Sequence, residues 1–123
     1  MTTHLPIITD IPDVEKFVEL LKTNPGLLII KFGAEWCGPC KLIEKDIKAT
    51  FSHMPTTIQT AIIDIDTNPK LYAFLKSKKM VNGIPVILCY KKDNLNYVPD
   101  DIVIGADRKQ ISMFFERCIT SIK

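Results

Sequence analysis

The stretch 32-FGAEWCGPCK-41 decides how this chain is read. It sets Cys37 and Cys40 three positions apart, joined by Gly38 and Pro39 and preceded by Trp36, with Lys31 six residues before the first thiol. Upstream, 27-LLIIKF-32 is a short, apolar, β-branched run that predicts a strand buried on both faces. Downstream, a helix is predicted from about Cys37 to Phe51, with Cys40, Ile43 and Ile47 on one side and Leu42 beside them. A strand feeding directly into a helix places Cys37 at the helix N-terminus, where free N–H groups and the dipole favour an anion. The thiolate is the attacking form of cysteine, so this position activates Cys37. At the i,i+3 spacing the Cβ atoms lie ~5–6 Å apart, and a modest rotamer change brings the sulfurs to bonding distance. Pro39 suits a first helical turn because it lacks an N–H that would have no partner there. Gly38 lets another chain approach closely.

Thiols so arranged can exchange disulfides. The Cys37 thiolate attacks a disulfide on a partner and forms a mixed disulfide; Cys40 then attacks the Cys37 sulfur and releases the reduced partner. This scheme expects one exposed and one shielded sulfur. A Cys-x-x-Cys pair is also half of a zinc site, here to be completed by Cys89, Cys118, His4 or His53. Against a metal, Cys89 lies inside "VILCY" and Cys118 on an apolar helical stripe, both positions typical of core cysteines. No second Cys-x-x-Cys or His-x-x-x-His pair occurs.

The remaining chain alternates. Val14, Phe17, Val18 and Leu21 predict a helix capped by Asp10 or Asp13, with Pro12 in its first turn and 23-TNPG-26 ending it. A strand is predicted over 58–66, then a short helix capped by Asn68 with Pro69 at its first position and Leu71, Phe74 and Leu75 inward. Residues 84–92 and 102–105 read as strands joined by the polar loop 93–101, a solvated hairpin at its acidic end. Asp107 with Gln110 resembles a capping box before a last helix whose stripe is Ile111, Phe114, Phe115, Cys118 and Ile122. Early alternation and a late hairpin argue for an α/β domain, a mixed sheet with helices on both faces.

Composition bounds the rest. The chain has 123 residues, 46% hydrophobic and 24% charged, with a net charge of +2. That length fits a single domain, 1–123. The small net charge gives no case for nucleic acid or anionic membrane, and no apolar run reaches the ~20 residues of a spanning helix. The start, "MTTHLPIITD", does not read as a secretory signal. Four cysteines are not a disulfide scaffold at this length. A reducing compartment, the cytoplasm, is the expectation.

The motifs in sequence resemble the thioredoxin family. "AEWCGPCK" (34–41) is similar to that family's active-site segment, "DIDTNP" (64–69) to a strand end and helix start, and "NGIPV" (82–86) to its Gly-Ile-Pro element; Gly105 matches a glycine near the active site. The motifs lie in family order across roughly residues 27–115. The resemblance implies a thioredoxin fold, with a central mixed sheet of four or five strands flanked by four helices. It implies Cys37 as nucleophile, Cys40 as resolving thiol and a cis bond between Ile84 and Pro85, exposing backbone to an extended substrate strand. Trp36, Gly38, Pro39, Ile65, Val81, Gly83, Ile84, Pro85, Gly105 and Ala106 would form the substrate-binding surface. The implied activity is reduction of protein disulfides, with a thioredoxin reductase or equivalent dithiol system as donor. No metal or organic cofactor is implied, since the redox equivalent is the Cys37–Cys40 pair itself, and the chain is expected to be a monomer. The alternative is an interaction or assembly module of the same fold in which the thiols are secondary.

Three positions depart from the family pattern. Lys31 stands where most members have a buried aspartate that assists proton transfer at the resolving cysteine, and Ile62 where a lysine commonly accompanies it. Lys31 either lays its stem along apolar surface with its ammonium in water, leaving proton transfer to water or to an acid such as Glu35, or holds a partly desolvated ammonium near the thiols and lowers their pKa. Lys45 replaces a helix-bending proline, which predicts a straighter helix. Loop 93–101 is longer than the family's short turn.

Overall fold

The structure, a computed structural model, describes residues 4–123. The element order is α1 (Val14–Lys22), β1 (Leu27–Gly33), α2 (Gly38–Ser52), β2 (Ile58–Asp64), α3 (Pro69–Ser77), β3 (Val86–Lys91), β4 (Asp101–Ile104) and α4 (Arg108–Thr120). The strands form one sheet in the order β2-β1-β3-β4. β1 runs parallel to β2, with Leu27 opposite Ile58, and antiparallel to β3, with Leu27 opposite Lys91. β4 returns antiparallel to β3. Beyond β2, Ile8 makes a single parallel bridge to Ala61, so the outermost pairing is a contact rather than a fifth full strand.

β1 is central, and every position in it is buried. Its side chains alternate between two cores because successive residues point to opposite faces. Leu28, Ile30 and Phe32 join Phe17 and Leu21 of α1 and Leu71 and Leu75 of α3. Leu27 and Ile29 join Ile43, Ile47 and Phe51 of α2 and Ile111, Phe114 and Phe115 of α4. The two-period pattern puts Lys31 and Gly33 on that second, α2/α4 side.

Several local expectations are corrected. Asp13, not Asp10, caps α1, accepting from the Lys16 N–H at 2.8 Å, and Pro12 precedes the cap. Asn68 occupies the cap position of α3 but makes no side-chain cap bond. Its buried amide instead accepts from the Ile11 N–H at 3.1 Å and donates to Asp10 at 3.1 Å, tying the incoming chain to the sheet. Burial explains the choice: a buried amide must satisfy its polar atoms where partners converge. The strand predicted over 58–66 ends at Asp64, and that over 84–92 begins at Val86. Ile122 lies beyond α4 and is exposed, as is Leu42 on the outer face of α2. α2 is unbroken through Lys45.

Loop 93–101 is pinned rather than freely solvated. Tyr97 packs edge-on against Phe74 of α3 with ring centroids 5.8 Å apart, and its carbonyl accepts from the Tyr90 hydroxyl at 2.7 Å. The Asp100 carboxylate accepts from the Lys91 N–H and the Asn94 amide. Asp101 begins β4 and pairs with Arg117 of α4 at 2.8 Å; that guanidinium holds its carboxyl below the usual range.

Candidate active site

Cys37 sits where β1 has ended and α2 begins. It is the N-cap of α2, extended at φ −85° and ψ 107°, and its sulfur accepts from the Cys40 N–H at 3.2 Å. Pro39 lies in the first turn. Cys40 falls on the buried side of α2, and the two cysteines are disulfide-bonded with Cα atoms 5.2 Å apart. Ala34, Ile65 and Ile84 pack on the pair. The expected contrast between an exposed and a shielded sulfur is absent in this oxidised state: Cys37 is 5% and Cys40 3% exposed. The difference between them lies in their neighbours. The Cys37 sulfur lies 3.9 Å from the Ile84 carbonyl oxygen, whereas Cys40 borders a cavity on the Lys31 side.

Trp36 is 68% exposed and its indole N–H donates to Asp66 at 2.8 Å. Gly38 and Pro39 are exposed at the tip. The Ile84–Pro85 peptide bond is cis. Gly83, at φ +144°, donates its N–H to the Tyr72 hydroxyl at 2.9 Å. Gly105, at φ +91°, donates to the Pro85 carbonyl at 2.9 Å. Both values favour glycine. These bonds gather the ends of β1, β2, β3 and β4 around the disulfide. Val81 does not belong to this surface: it is 3% exposed and packs in the α1/α3-side core. Its single apolar side chain beside "NGIP" carries no sign of direction, which explains the error. Ala106 is half-buried against the other core. Asp66 and Tyr72 are additions. Asp66 was visible within "DIDTNP", but its pairing with Trp36 spans 30 residues and has no local signature.

Lys31 is the unusual member. As a whole residue it is 4% exposed, and it lines a cavity together with Cys40. A Cβ placed on Gly33 would lie 3.4 Å from the Cys40 sulfur and 3.4 Å from the Lys31 nitrogen. The two atoms therefore flank one small gap, no farther apart than twice that distance. The gap opens into a cavity of about 660 Å³ that Lys31, Gly33, Glu35, Cys40, Glu44 and Asp64 help to line. Burial holds the Lys31 ammonium below the ordinary lysine value; Glu44 pushes it back up and Lys48 further down. Glu35 is exposed at the rim.

A lowered folded-state pKa means that the unfolded chain binds the Lys31 proton more tightly. Stability should therefore rise with pH from the folded pKa towards 10.5 and carry a constant penalty below that window. Lys31→Met removes the penalty. It is expected to stabilise the protein at neutral pH, with the gain shrinking as pH approaches 10.5. Urea melts of both proteins across that range check it; a gain that grows with pH contradicts the sign.

Cys89 and Cys118 are free and buried in the α2/α4-side core. Hydrogen bonding to Cys118, then burial, pushes the Cys89 thiol up. The His53 ring nitrogen meets the Ala49 carbonyl at 2.7 Å and that of His4 the Leu5 carbonyl at 2.9 Å. Among the described residues no three His, Cys, Asp or Glu side chains converge as a metal site, and no helix is long and apolar enough to cross a membrane.

Fold and site together define a thiol–disulfide oxidoreductase: a four-stranded mixed sheet between helices, with a Cys-x-x-Cys disulfide at the start of α2. The thioredoxin family profile matches residues 9–117, and the chain belongs to the thioredoxin family. It is 29% identical over 104 residues to a thioredoxin of Rickettsia typhi, covering 85% of this chain and 90% of that one. It is 31% identical over 103 residues to a bifunctional thioredoxin reductase/thioredoxin of Mycobacterium leprae, covering 84% of this chain but only 20% of that longer protein. The crystal structure of thioredoxin from Trypanosoma brucei brucei superposes with a TM-score of 0.72 at 27% identity, covering 94% of this chain and 93% of that one.

Proposed function

We propose that this chain reduces disulfides in protein substrates by dithiol exchange, with Cys37 as nucleophile and Cys40 as resolving thiol. The observation that carries the reading is Cys37 at the N-cap of α2, bonded to Cys40 and beside the Ile84 carbonyl. In the reduced protein the helix N-terminus favours the Cys37 thiolate. An extended substrate strand pairs with the backbone beside Pro85 and rests on Trp36, Ile65 and Ile84, so its disulfide meets Cys37. Exchange conserves electrons: the two thiols become the Cys37–Cys40 disulfide and the substrate disulfide becomes two thiols. The pair itself carries the redox equivalent, without a metal or organic cofactor. A reductase must then recharge it. The Mycobacterium leprae relative is a bifunctional thioredoxin reductase/thioredoxin, and we infer a donor of that kind here. A cytoplasmic location suits a reduced working state.

The second reading, an interaction module with incidental thiols, has the exposed Trp36 surface in its favour. Reduction of insulin disulfides with dithiothreitol separates the two. The oxidoreductase accelerates it catalytically; a chain that leaves the dithiothreitol rate unchanged is a module.

A further inference from the structure

The segment between Ser77, the end of α3, and Val86, the start of β3, carries the backbone nearest Cys37, yet it has no regular structure of its own. Side ties hold it in place. The Met80 N–H donates to the Leu75 carbonyl at 2.9 Å, and Val81 is buried in the α1/α3-side core. The Gly83 N–H donates to the Tyr72 hydroxyl at 2.9 Å, and beyond it the Pro85 carbonyl accepts from Gly105. Ile84 lies between these last two bonds. Among the described residues its N–H has no hydrogen-bond partner, and its carbonyl meets only the Cys37 sulfur. Both backbone groups of Ile84 are therefore open to an incoming strand, and their direction is set by its neighbours.

Tyr72 is well placed to set it. It stands on α3 beside Leu71, which with Leu75 is fully buried. Its ring meets Phe32 of β1 edge-on with centroids 5.4 Å apart, and Phe32 is itself fully buried. Helix and ring contact leave the hydroxyl little freedom. A Cβ on Gly83 would meet nothing within 4 Å, so space does not demand glycine there. The backbone does: φ is +144°, and in that state the N–H meets Tyr72.

We propose that Tyr72 is a positioning residue for substrate docking: its hydroxyl holds the Gly83 N–H and so fixes the Ile84 backbone in the orientation that pairs with an extended substrate strand beside Cys37. The inference rests on the oxidoreductase reading and adds a residue to its docking step. Tyr72 acts through Gly83 and not on either sulfur. The bond lies at the surface, so without the hydroxyl water takes the Gly83 N–H and the segment is free to turn. A protein strand, which uses the Ile84 backbone, then binds more weakly. A small disulfide, which needs only the Cys37 sulfur, reacts as before.

Tyr72→Phe removes the hydroxyl and keeps the ring on Phe32. In dithiothreitol-driven reduction of insulin it should raise KM roughly three- to tenfold, the effect of one lost hydrogen bond. kcat should not change, the pattern of a lost binding contact. Single-turnover reduction of a small aromatic disulfide by the reduced protein should keep its native rate. Hydrogen exchange of the Gly83 amide should quicken while the amides of β3 keep theirs. A merely structural role would lower the urea midpoint and slow both substrates alike. An insulin KM within about twofold of native, an equal loss on both substrates, or a Gly83 amide that exchanges at its native rate overturns the proposal. A native protein that reduces neither substrate would instead refute the oxidoreductase reading itself.

Discussion

Cys37→Ser is expected to bring dithiothreitol-driven insulin reduction down to the rate of dithiothreitol alone, a loss of at least roughly a hundredfold relative to the native chain. A serine hydroxyl at the N-cap still accepts from the Cys40 N–H, because serine is a preferred cap. The fold should therefore survive, and a circular dichroism melt will show it. What disappears is the polarizable sulfur anion that the helix terminus favours and that disulfide exchange requires. The neighbours cannot replace it. Cys40 is 3% exposed and faces the cavity, while Cys89 and Cys118 are enclosed in the core. Catalysis retained in Cys37→Ser would mean that another thiol attacks and that the site is misplaced.

Phe114→Ala is expected to cost about 3–5 kcal/mol, the range for emptying a buried phenylalanine site. Phe114 is fully buried on α4, stacks edge-on with Phe115 at 5.4 Å and carries the Arg117 guanidinium over its ring at 5.9 Å. It seals the sheet face that also holds Ile29, Ile87 and Val103. A domain of this kind has only about 5–15 kcal/mol in total, so the urea midpoint should fall steeply at an unchanged slope. The active site lies at the other end of α2 from Phe51, the α2 partner of Phe115. The variant should therefore lose stability well before it loses catalysis per folded molecule. A midpoint within about 1 kcal/mol of the native protein would mean that the core closes over the gap.

Most of the architecture was legible because hydrophobic period and helix signals agree along the chain. The continuous run 27–32 announced a strand covered on both faces, and the apolar spacing of 37–51 announced the helix that carries Cys40. The Cys-Gly-Pro-Cys segment located the chemistry because nucleophile and resolving thiol are neighbours in sequence. What escaped depends on distant partners. Val81 looks the same whether it faces a partner or the core. Asn68 was read as a local cap, yet its bonds go to Ile11 and Asp10, more than 50 residues away in sequence. Tyr97 in a polar loop gave no hint that Phe74 and Tyr90 would hold it. Lys31 could be placed on a strand but not sided between water and thiol. That choice depends on Gly33 leaving room for Cys40 to approach.

The central claim, that Cys37 is an activated thiolate in the reduced protein, is tested most directly by its rate of alkylation against pH, mapped to Cys37 by mass spectrometry. The account predicts a half-maximal rate at a pH below the ~8.5 of a free cysteine, because the α2 N-terminus favours the thiolate. A midpoint at or above that ordinary value, or a Cys37 inert at neutral pH, would contradict it.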